Sequence, residues 1–173
     1  ALVLVALALG VLVVSGASWP WLAGVLLAGV AAGITSAGTE TDRLHAMTRN
    51  RADQDTITAL WKVGFALPRW WFLPAGPEGS VAPAAAEIEG VMMLLGFTSS
   101  ERARHFAVEQ GMIDPEQPAD LLAKEPIEIV RGAGDFLTAG IKGVVMDVHI
   151  SGWFAPFEGL GPMWRRATGT PLD

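Results

Sequence analysis

The sequence predicts a membrane protein, mainly α-helical, with a two-helix transmembrane hairpin and a small cytoplasmic, membrane-apposed helical domain that has a minor β element (α+β). Three observations favour this fold class. The first charged residue is Glu40, basic residues follow soon after it, and the chain has seven tryptophans but no tyrosine. We expect residues 1–38 to form the hairpin, residues 39–79 a basic juxtamembrane helix with an aromatic turn, and residues 80–173 a small acidic extramembrane domain.

The predicted hairpin depends on two uncharged segments. Residues 1–14 are apolar or glycine, but at 1.5 Å per residue they cover roughly 21 Å, less than the ~30 Å hydrocarbon core. Because the chain does not begin with Met, we expect preceding residues that complete this span. Residues 19–38 are uncharged over a full spanning length. Two alternatives stay open: a signal peptide with Ser15 and Ala17 before its cleavage site, and a buried hairpin in a water-soluble fold.

Small residues in the second uncharged segment recur at a spacing of four and predict close helix packing. In lipid, burial of leucine stabilises helix association little, so close approach of two backbones is the main contribution. The contact is expected either within the hairpin or with a helix of a partner. The predicted packing residues are Gly24, Ala28, Gly29 and Gly33.

Residues 39–66 predict a basic amphipathic helix that lies along the lipid headgroups. Thr39 or Thr41 can cap its beginning, and Pro68 ends it. Basic residues near the ends of membrane spans mark the cytoplasmic side. Both hairpin ends and the extramembrane domain are therefore expected on the cytoplasmic side of a bacterial inner membrane. The arginines that carry this prediction are Arg43, Arg49 and Arg51.

The stretch RWWFLPAGPEG, residues 69–79, places three large aromatic residues beside an arginine and before a Pro/Gly turn. Tryptophan concentrates at membrane interfaces because its ring is apolar and its N–H is polar. The alternative is an ordinary protein core that uses tryptophan. The residues predicted at the membrane interface are Trp19, Trp21, Trp61, Arg69, Trp70, Trp71 and Phe72.

The extramembrane part is predicted to contain short helices followed by short strands. Residues 98–101 match a capping box, and Gly111 suits the residue that follows a helix C-terminus. The alternation after Val144 is typical of a half-buried strand. The residues from Gly152 onward are predicted to form a loop. The sequence predicts helices over 84–96, 98–110 and 114–122, and strands over 127–130 and 144–151.

Composition excludes several kinds of function. The absence of cysteine excludes disulfides, thiolate catalysis and cysteine-ligated metal sites. A net charge of −6 without a basic stripe argues against nucleic acid as a partner. Gly132 and Gly134 do not form a dinucleotide fingerprint, because the next glycine is Gly140 and Asp135 would repel a phosphate.

Asp147 and His149 are the only catalytic candidates. They would project from the same face of the predicted strand, where a carboxylate can orient an imidazole for base catalysis or metal binding. The pattern more often belongs to a solvated strand face, so we predict no catalytic residue and no metal site. No cofactor is predicted either, although contacts with lipid or pigment are compatible with the sequence.

The sequence therefore predicts a non-catalytic, membrane-anchored accessory subunit of a larger bacterial membrane complex, of which photosynthetic and respiratory complexes are examples. Its expected partners are integral membrane subunits and the lipid bilayer. One alternative is a membrane-bound enzyme that acts on a lipid or quinone through Asp147 and His149. Another is a two-span component of a secretion or conjugation system.

Overall fold

A computed structural model of the chain describes residues 3–7, 11–15, 39–50, 53–77 and 80–172. Within these ranges the elements follow one another in this order: β1 (Val3–Leu7), β2 (Val11–Ser15), α1 (Glu40–Asn50), α2 (Gln54–Ala66), β3 (Trp70–Phe72), β4 (Pro74–Ala75), β5 (Ala82–Pro83), β6 (Ala85–Ile88), β7 (Val91–Phe97), α3 (Ser100–Glu109), β8 (Leu122–Lys124), α4 (Pro126–Arg131), α5 (Ala133–Thr138), β9 (Gly143–Met146), β10 (Trp153–Pro156) and α6 (Phe157–Thr168).

The centre of the fold is a mixed sheet built around β7. Strand β6 pairs antiparallel with the first half of β7, and β3 pairs antiparallel with its end. On its other side β7 pairs parallel with β9, which pairs antiparallel with β10. Strands β8 and β2 extend the sheet beyond β3 and β6. The carboxyl ends of β7 and β9 thus lie side by side, and the candidate site is built at that edge.

Alternate side chains of β7 enter two separate cores. Leu94 packs into the larger core, which α2, α4 and α6 cover. Leu95 and Phe97 pack into the smaller core on the opposite face, where α3 contributes its buried residues. This alternation follows from the two-residue repeat of a strand. It makes α3 the helix that faces the carboxyl end of β7.

The predicted transmembrane hairpin is wrong where the structure describes it. Strands β1 and β2 form an antiparallel pair, with Val3 opposite Ser15. Strand β2 then pairs parallel with β6, so the pair belongs to the sheet. A short continuous apolar run has the same pattern in a buried strand and in a helix, and periodicity does not separate the two. The predicted second span, residues 19–38, lies outside the described residues, with the packing residues Gly24, Ala28, Gly29 and Gly33.

The membrane assignment also fails. In the described ranges, every helix is too short or too polar to cross a bilayer. The longest of them, α2, has 13 residues, whereas a spanning helix needs about 20. The described residues form a mixed α+β fold, so the predicted, mainly helical fold class is wrong. The predicted location in the bacterial inner membrane is contradicted by the same finding.

The predicted helix over residues 84–96 is a β-hairpin formed by β6 and β7. Glu89 and Gly90 lie between the strands and both have positive φ, 52° and 81°. Positive φ at both central residues is what a type I′ turn requires, and that turn matches the twist of the flanking strands. The run of apolar residues was therefore one strand of a pair and not a helix face.

Three predictions near the C-terminus are corrected in the same way. Residues 127–130 belong to helix α4, whose first turn has a capping box between Glu125 and Glu128. Residues 115–117 form a turn, and residues 118–121 have no regular secondary structure and lead into β8. The predicted terminal loop contains β10 and the 12-residue helix α6. In each case the local pattern was short, and packing on the sheet decided the conformation.

The predicted basic helix over residues 39–66 is two helices. Asp53 is the N-cap of α2, and its side chain accepts a hydrogen bond from the backbone of Thr56 at 2.8 Å. Helix α2 ends at Ala66, two residues before Pro68. The apolar face of α2 is directed into the larger core and not along a bilayer, since Leu60, Trp61 and Phe65 are buried there.

Candidate metal centre

Helix α3 supplies most of the candidate site, and its boundaries follow from local sequence. Ser99 is the N-cap, and its side chain accepts a hydrogen bond from the backbone of Arg102. Gly111 follows the C-cap with φ of 66°, as predicted for that glycine. The predicted helix is confirmed, but its cap is Ser99 and not Thr98. Thr98 is used instead to hold Asp147.

Three polar residues of α3 lie along one side of the helix. Arg102, His105 and Glu109 are three and four positions apart, the spacing that brings side chains to a common face. The neighbouring face carries Ala103, Phe106 and Ala107, which are buried in the smaller core. The polar strip therefore runs beside the core contact, where a turn from the sheet edge can reach it.

That turn begins at Asp147, directly after β9. The predicted strand over 144–151 ends at Met146. Asp147 has φ of 50°, and its carbonyl accepts hydrogen bonds from the backbone of Ile150, Ser151 and Gly152. A positive φ is uncommon for a residue with a side chain and requires support from its surroundings.

The support for Asp147 comes from its carboxylate, which is fully buried. Thr98 donates to it from its backbone at 3.0 Å and from its hydroxyl at 2.6 Å. Arg102 donates from Nη1 at 2.7 Å. Because buried charges are tolerated only when they are paired and hydrogen-bonded, this network fixes the turn against α3.

Arg102 also holds the first turn of α1. Its guanidinium donates to both oxygens of Asp42, at 2.9 and 2.5 Å. A two-point contact of this kind is stronger and more directional than a single hydrogen bond. Thus Arg102 bridges α1 and the turn after β9, and only 12% of its side chain is exposed. We call the three residues Asp42, Arg102 and Asp147 the clamp.

The pKa shifts in the clamp have clear causes. Burial raises the pKa of Asp147, and the charge of Arg102 with the hydrogen bonds from Thr98 opposes that rise without cancelling it. Burial also raises the pKa of Asp42, but the hydrogen bonds and charge of Arg102 outweigh it and the net shift is downward. For Arg102, burial lowers the pKa, and the two carboxylates more than compensate, so it is raised. Arg102 therefore stays charged between its two partners.

His149 lies in the same turn, among aromatic rings. Its ring centroid is 5.5 Å from that of Phe106, 5.9 Å from that of Phe97 and 5.4 Å from that of His105. Among the residues that the structure describes, neither ring nitrogen of His149 has a hydrogen-bond partner, although both are buried. Unsatisfied buried polar atoms of this kind are rare in proteins and call for an explanation.

The charge state of His149 suits a metal ligand. Burial, with the nearby charges of His105 and Arg102, lowers its pKa to about 4. His149 is therefore neutral near pH 7 and keeps a nitrogen lone pair. Neutral imidazole is the commonest metal ligand among side chains.

His105, Glu109 and His149 bring one potential ligand atom each within 4.8 Å of one another. Nδ1 of His105 and Oε2 of Glu109 are 3.4 Å apart. They do not form a hydrogen bond with acceptable geometry within the described structure, where Nδ1 is buried and unpartnered. In a tetrahedral zinc site with bonds near 2.0–2.1 Å, neighbouring ligand atoms are about 3.3 Å apart. Small side-chain rotations would therefore close the set around one ion.

The structure does not join Asp147 and His149 as an acid–base pair. The carboxylate of Asp147 accepts hydrogen bonds from Thr98 and Arg102. Neither nitrogen of His149 makes a hydrogen bond in the described part of the chain. The two residues share a turn, but each contacts a different part of α3. Asp147 thus holds the turn through its hydrogen bonds, whereas both ring nitrogens of His149 remain without a hydrogen bond in the described structure.

The residues predicted at a membrane interface are distributed differently. Trp61, Trp70 and Phe72 are 3%, 0% and 0% exposed and lie in the larger core. This agrees with the alternative interpretation, an ordinary protein core that uses tryptophan. Trp71 is partly buried against the smaller core, and Arg69 is exposed and paired with Glu125 at 3.5 Å. Trp19 and Trp21 lie outside the described residues.

The aromatic residues of the larger core contact one another closely. The ring of Trp61 is 4.7 Å from that of Trp153 and 6.3 Å from that of Trp70. Nε1 of Trp70 donates to the carbonyl of Gly64 at 2.9 Å. These tilted and edge-on arrangements are favourable aromatic contacts. They give the tryptophans a structural explanation that does not require a bilayer.

A groove lies between α2 and α6. It has a volume of about 290 Å³, and Arg166 is the one charged residue of its lining. The groove brings no set of metal-binding side chains together. Its lining consists of Gln54, Ile57, Thr58, Trp61, Pro162, Met163 and Arg166.

His105 and Glu109 were not among the site residues predicted from the sequence. Their spacing of four on a predicted helix was visible in the sequence, and such a pair can bind one ion from a single helix face. The third ligand was not visible, because His149 is 40 positions further along the chain than Glu109. The prediction that no metal is bound stays untested.

Similarity to known proteins adds no information about this centre. Comparisons with protein families, with curated proteins and with solved structures find no match for this chain.

Proposed function

We propose that this chain binds a divalent transition-metal ion, with Zn²⁺ as the best fit, through His105, Glu109 and His149. The observation that carries the proposal is the convergence of three ligand atoms within 4.8 Å of one another. Two imidazoles and one carboxylate are a common ligand set for zinc and leave one coordination position for water or another ligand. The unpartnered nitrogens of His149 and the unpartnered Nδ1 of His105 would gain a partner when the ion binds.

The ligand types decide which ions are suitable. Imidazole nitrogen favours zinc, copper, nickel, cobalt and iron, whereas magnesium and calcium prefer oxygen ligands. A chain without cysteine has no thiolate that could compete for the ion. We therefore expect Zn²⁺ and Co²⁺ to bind and Mg²⁺ and Ca²⁺ not to compete at millimolar concentration.

A structural or regulatory ion fits this centre better than a catalytic one. The ion would join α3 to the turn after β9, because two of its ligands are on α3 and the third is His149. Asp147, the nearest carboxylate in sequence to His149, already accepts hydrogen bonds from Thr98 and Arg102 and is not free to act as a base. These contacts of Asp147 are consistent with the predicted non-catalytic accessory role.

The test is a titration of untagged, chelator-treated protein with Zn²⁺ in a calorimeter, together with Co²⁺ absorption spectroscopy. We expect one ion per chain. The separate variants H105N, E109Q and H149N should each weaken binding by about 100-fold, since even the loss of residues that only support ligands costs 10–100-fold.

The matched control is H45N, which changes the chain's one histidine outside the centre and should leave affinity unchanged. If wild type takes up no Zn²⁺ at micromolar concentration, the proposal is overturned. It is also overturned if H45N weakens binding as much as H149N, because the ion would then be held by histidines without regard to this geometry.

A further inference from the structure

We infer that metal binding at this centre controls how firmly helix α1 is held against the domain. The inference depends on the proposed metal site and adds its regulation. It follows from one structural observation. The clamp, which holds α1, and the three proposed metal ligands lie on the same helix and the same turn. The strip of α3 carries Arg102 for the clamp, and His105 and Glu109 for the ion. The turn after β9 carries Asp147 for the clamp and His149 for the ion.

The contact between α1 and α3 is concentrated in the clamp. Asp42 accepts two hydrogen bonds from the guanidinium of Arg102, and the hydroxyl of Thr39 accepts a longer one at 3.4 Å. Asp42 also accepts a hydrogen bond from the backbone of Thr39 at 2.9 Å. The first turn of α1 and its link to α3 therefore share one carboxylate. Leu44 anchors the other side of α1 in the larger core.

Both the clamp and the metal site require the turn to lie along α3. Asp147 reaches Arg102 only when the turn has its observed position, with positive φ at Asp147. His149 approaches His105 in that same position. An ion bound to His149 and to α3 holds the turn there, and the carboxylate of Asp147 then stays beside Arg102. Arg102 is in turn kept in the orientation that binds Asp42.

This coupling must act in both directions. If the ion favours the closed clamp by a given factor, the closed clamp raises affinity for the ion by the same factor. Loss of the Asp42 contact should therefore weaken metal binding even though Asp42 is not a ligand. For coupling energies typical of linked sites we expect a factor of about 10.

Hydrogen exchange with and without Zn²⁺ tests the coupling. In the wild-type protein, saturating Zn²⁺ should slow exchange of the α1 amides by about tenfold, the same coupling factor. The amides of α6 provide the reference, because general stabilisation of the domain would slow them equally. The D42N variant keeps the size of the side chain and an acceptor for Thr39 but removes the charge. In D42N, Zn²⁺ should no longer slow α1, and affinity for Zn²⁺ should fall by the same factor.

The matched control is R43Q, on the same turn of α1. Arg43 pairs with Glu40 on the exposed side, so this variant should keep the full effect of Zn²⁺ on α1. If wild type binds Zn²⁺ but α1 and α6 slow equally, the coupling is overturned while the metal site stands. If wild type does not bind Zn²⁺, the proposed function fails first. Should D42N not fold, the wild-type comparison of α1 with α6 decides the question alone.

Discussion

Arg102 donates a 2.7 Å hydrogen bond to Asp147, whose side chain is fully buried. The two residues are 45 positions apart in the chain, and their contact holds the turn after β9 against α3. Loss of the Asp147 carboxylate would leave both donors of Thr98 without an acceptor and Arg102 with Asp42 as its remaining partner, and a buried polar group without a partner is costly. This contact is therefore expected to be the most sensitive polar interaction of the site.

We predict that D147A lowers the free energy of unfolding by about 1–3 kcal/mol, the cost of polar groups left without a partner. The reason is that both donors of Thr98 would lose their acceptor and Arg102 would keep Asp42 as its remaining carboxylate partner. Urea unfolding followed by circular dichroism measures the change. E40A removes the exposed pair with Arg43 and serves as the control, with no measurable effect expected. A loss below 1 kcal/mol for D147A would show that water replaces the carboxylate without difficulty.

We predict that G64A destabilises the domain although alanine favours helices more than glycine. A Cβ at Gly64 would lie 2.6 Å from Cη2 of Trp153, and that ring is packed against Trp61. Overpacking typically costs about 1–3 kcal/mol, against a gain of up to about 1 kcal/mol from helix propensity. The net change is expected to be a lower melting temperature.

The control for this prediction is G134A, in helix α5. Apart from its chain neighbours and the backbone of its own helix, no atom in the described structure lies within 4 Å of a Cβ placed there, so only the helix propensity should act. G134A is expected to be neutral or stabilising by about 0.5–1 kcal/mol. The changes in stability caused by G64A and G134A need not be equal in size. A stabilising effect of G64A would mean that the ring of Trp153 moves easily.

We predict that E89N stabilises the β6–β7 hairpin. Glu89 has φ of 52° without being glycine, a conformation that costs an ordinary residue roughly 1–2 kcal/mol. Asparagine followed by glycine is the preferred pair for a type I′ turn, and Gly90 is already present. Thermal unfolding should show a gain of about 0.5 kcal/mol or more, a part of that conformational cost. E87N, in the neighbouring strand β6, is the control and should show no gain.

We predict that His149 makes the metal-free domain less stable in mild acid. Its pKa is lowered from 6.5 to about 4 by burial and nearby positive charge. The unfolded chain therefore binds a proton at higher pH than the folded chain does. The stability that the domain has with His149 neutral is fully present above pH 6.5. It is lost as the pH falls from 6.5 towards 4, because protonation then favours the unfolded chain.

This prediction is measured as a difference. Unfolding free energies of wild type and H149Q are determined in chelator at several pH values between 4 and 7.5. Carboxylates affect both proteins alike, so the difference between them isolates His149. The unfolding free energy of wild type minus that of H149Q should be larger at pH 7 than at pH 4.5. A difference that does not change with pH would mean that His149 titrates normally.

Local chemistry in the sequence was enough to predict several elements. The start and end of α3 follow from serine and glycine at its caps, and the end of α2 follows from Pro68. These features act within a few residues, so the chain carries their signal without help from the fold. The four-residue spacing of His105 and Glu109, which places both side chains on one helix face, could be read from the sequence in the same way.

The tertiary structure alone decided where the apolar segments go and which residues form the site. An uncharged run such as that of β1 or β2 is compatible with both a strand and a membrane helix, because periodicity does not separate the two in a short apolar segment. Trp70 and Phe72 are apolar enough for an interface or a core, and it is the pairing of β3 with β7 that puts them in the core. His149 joins His105 and Glu109 only because β9 lies parallel to β7, which places the turn after one strand against the helix that follows the other.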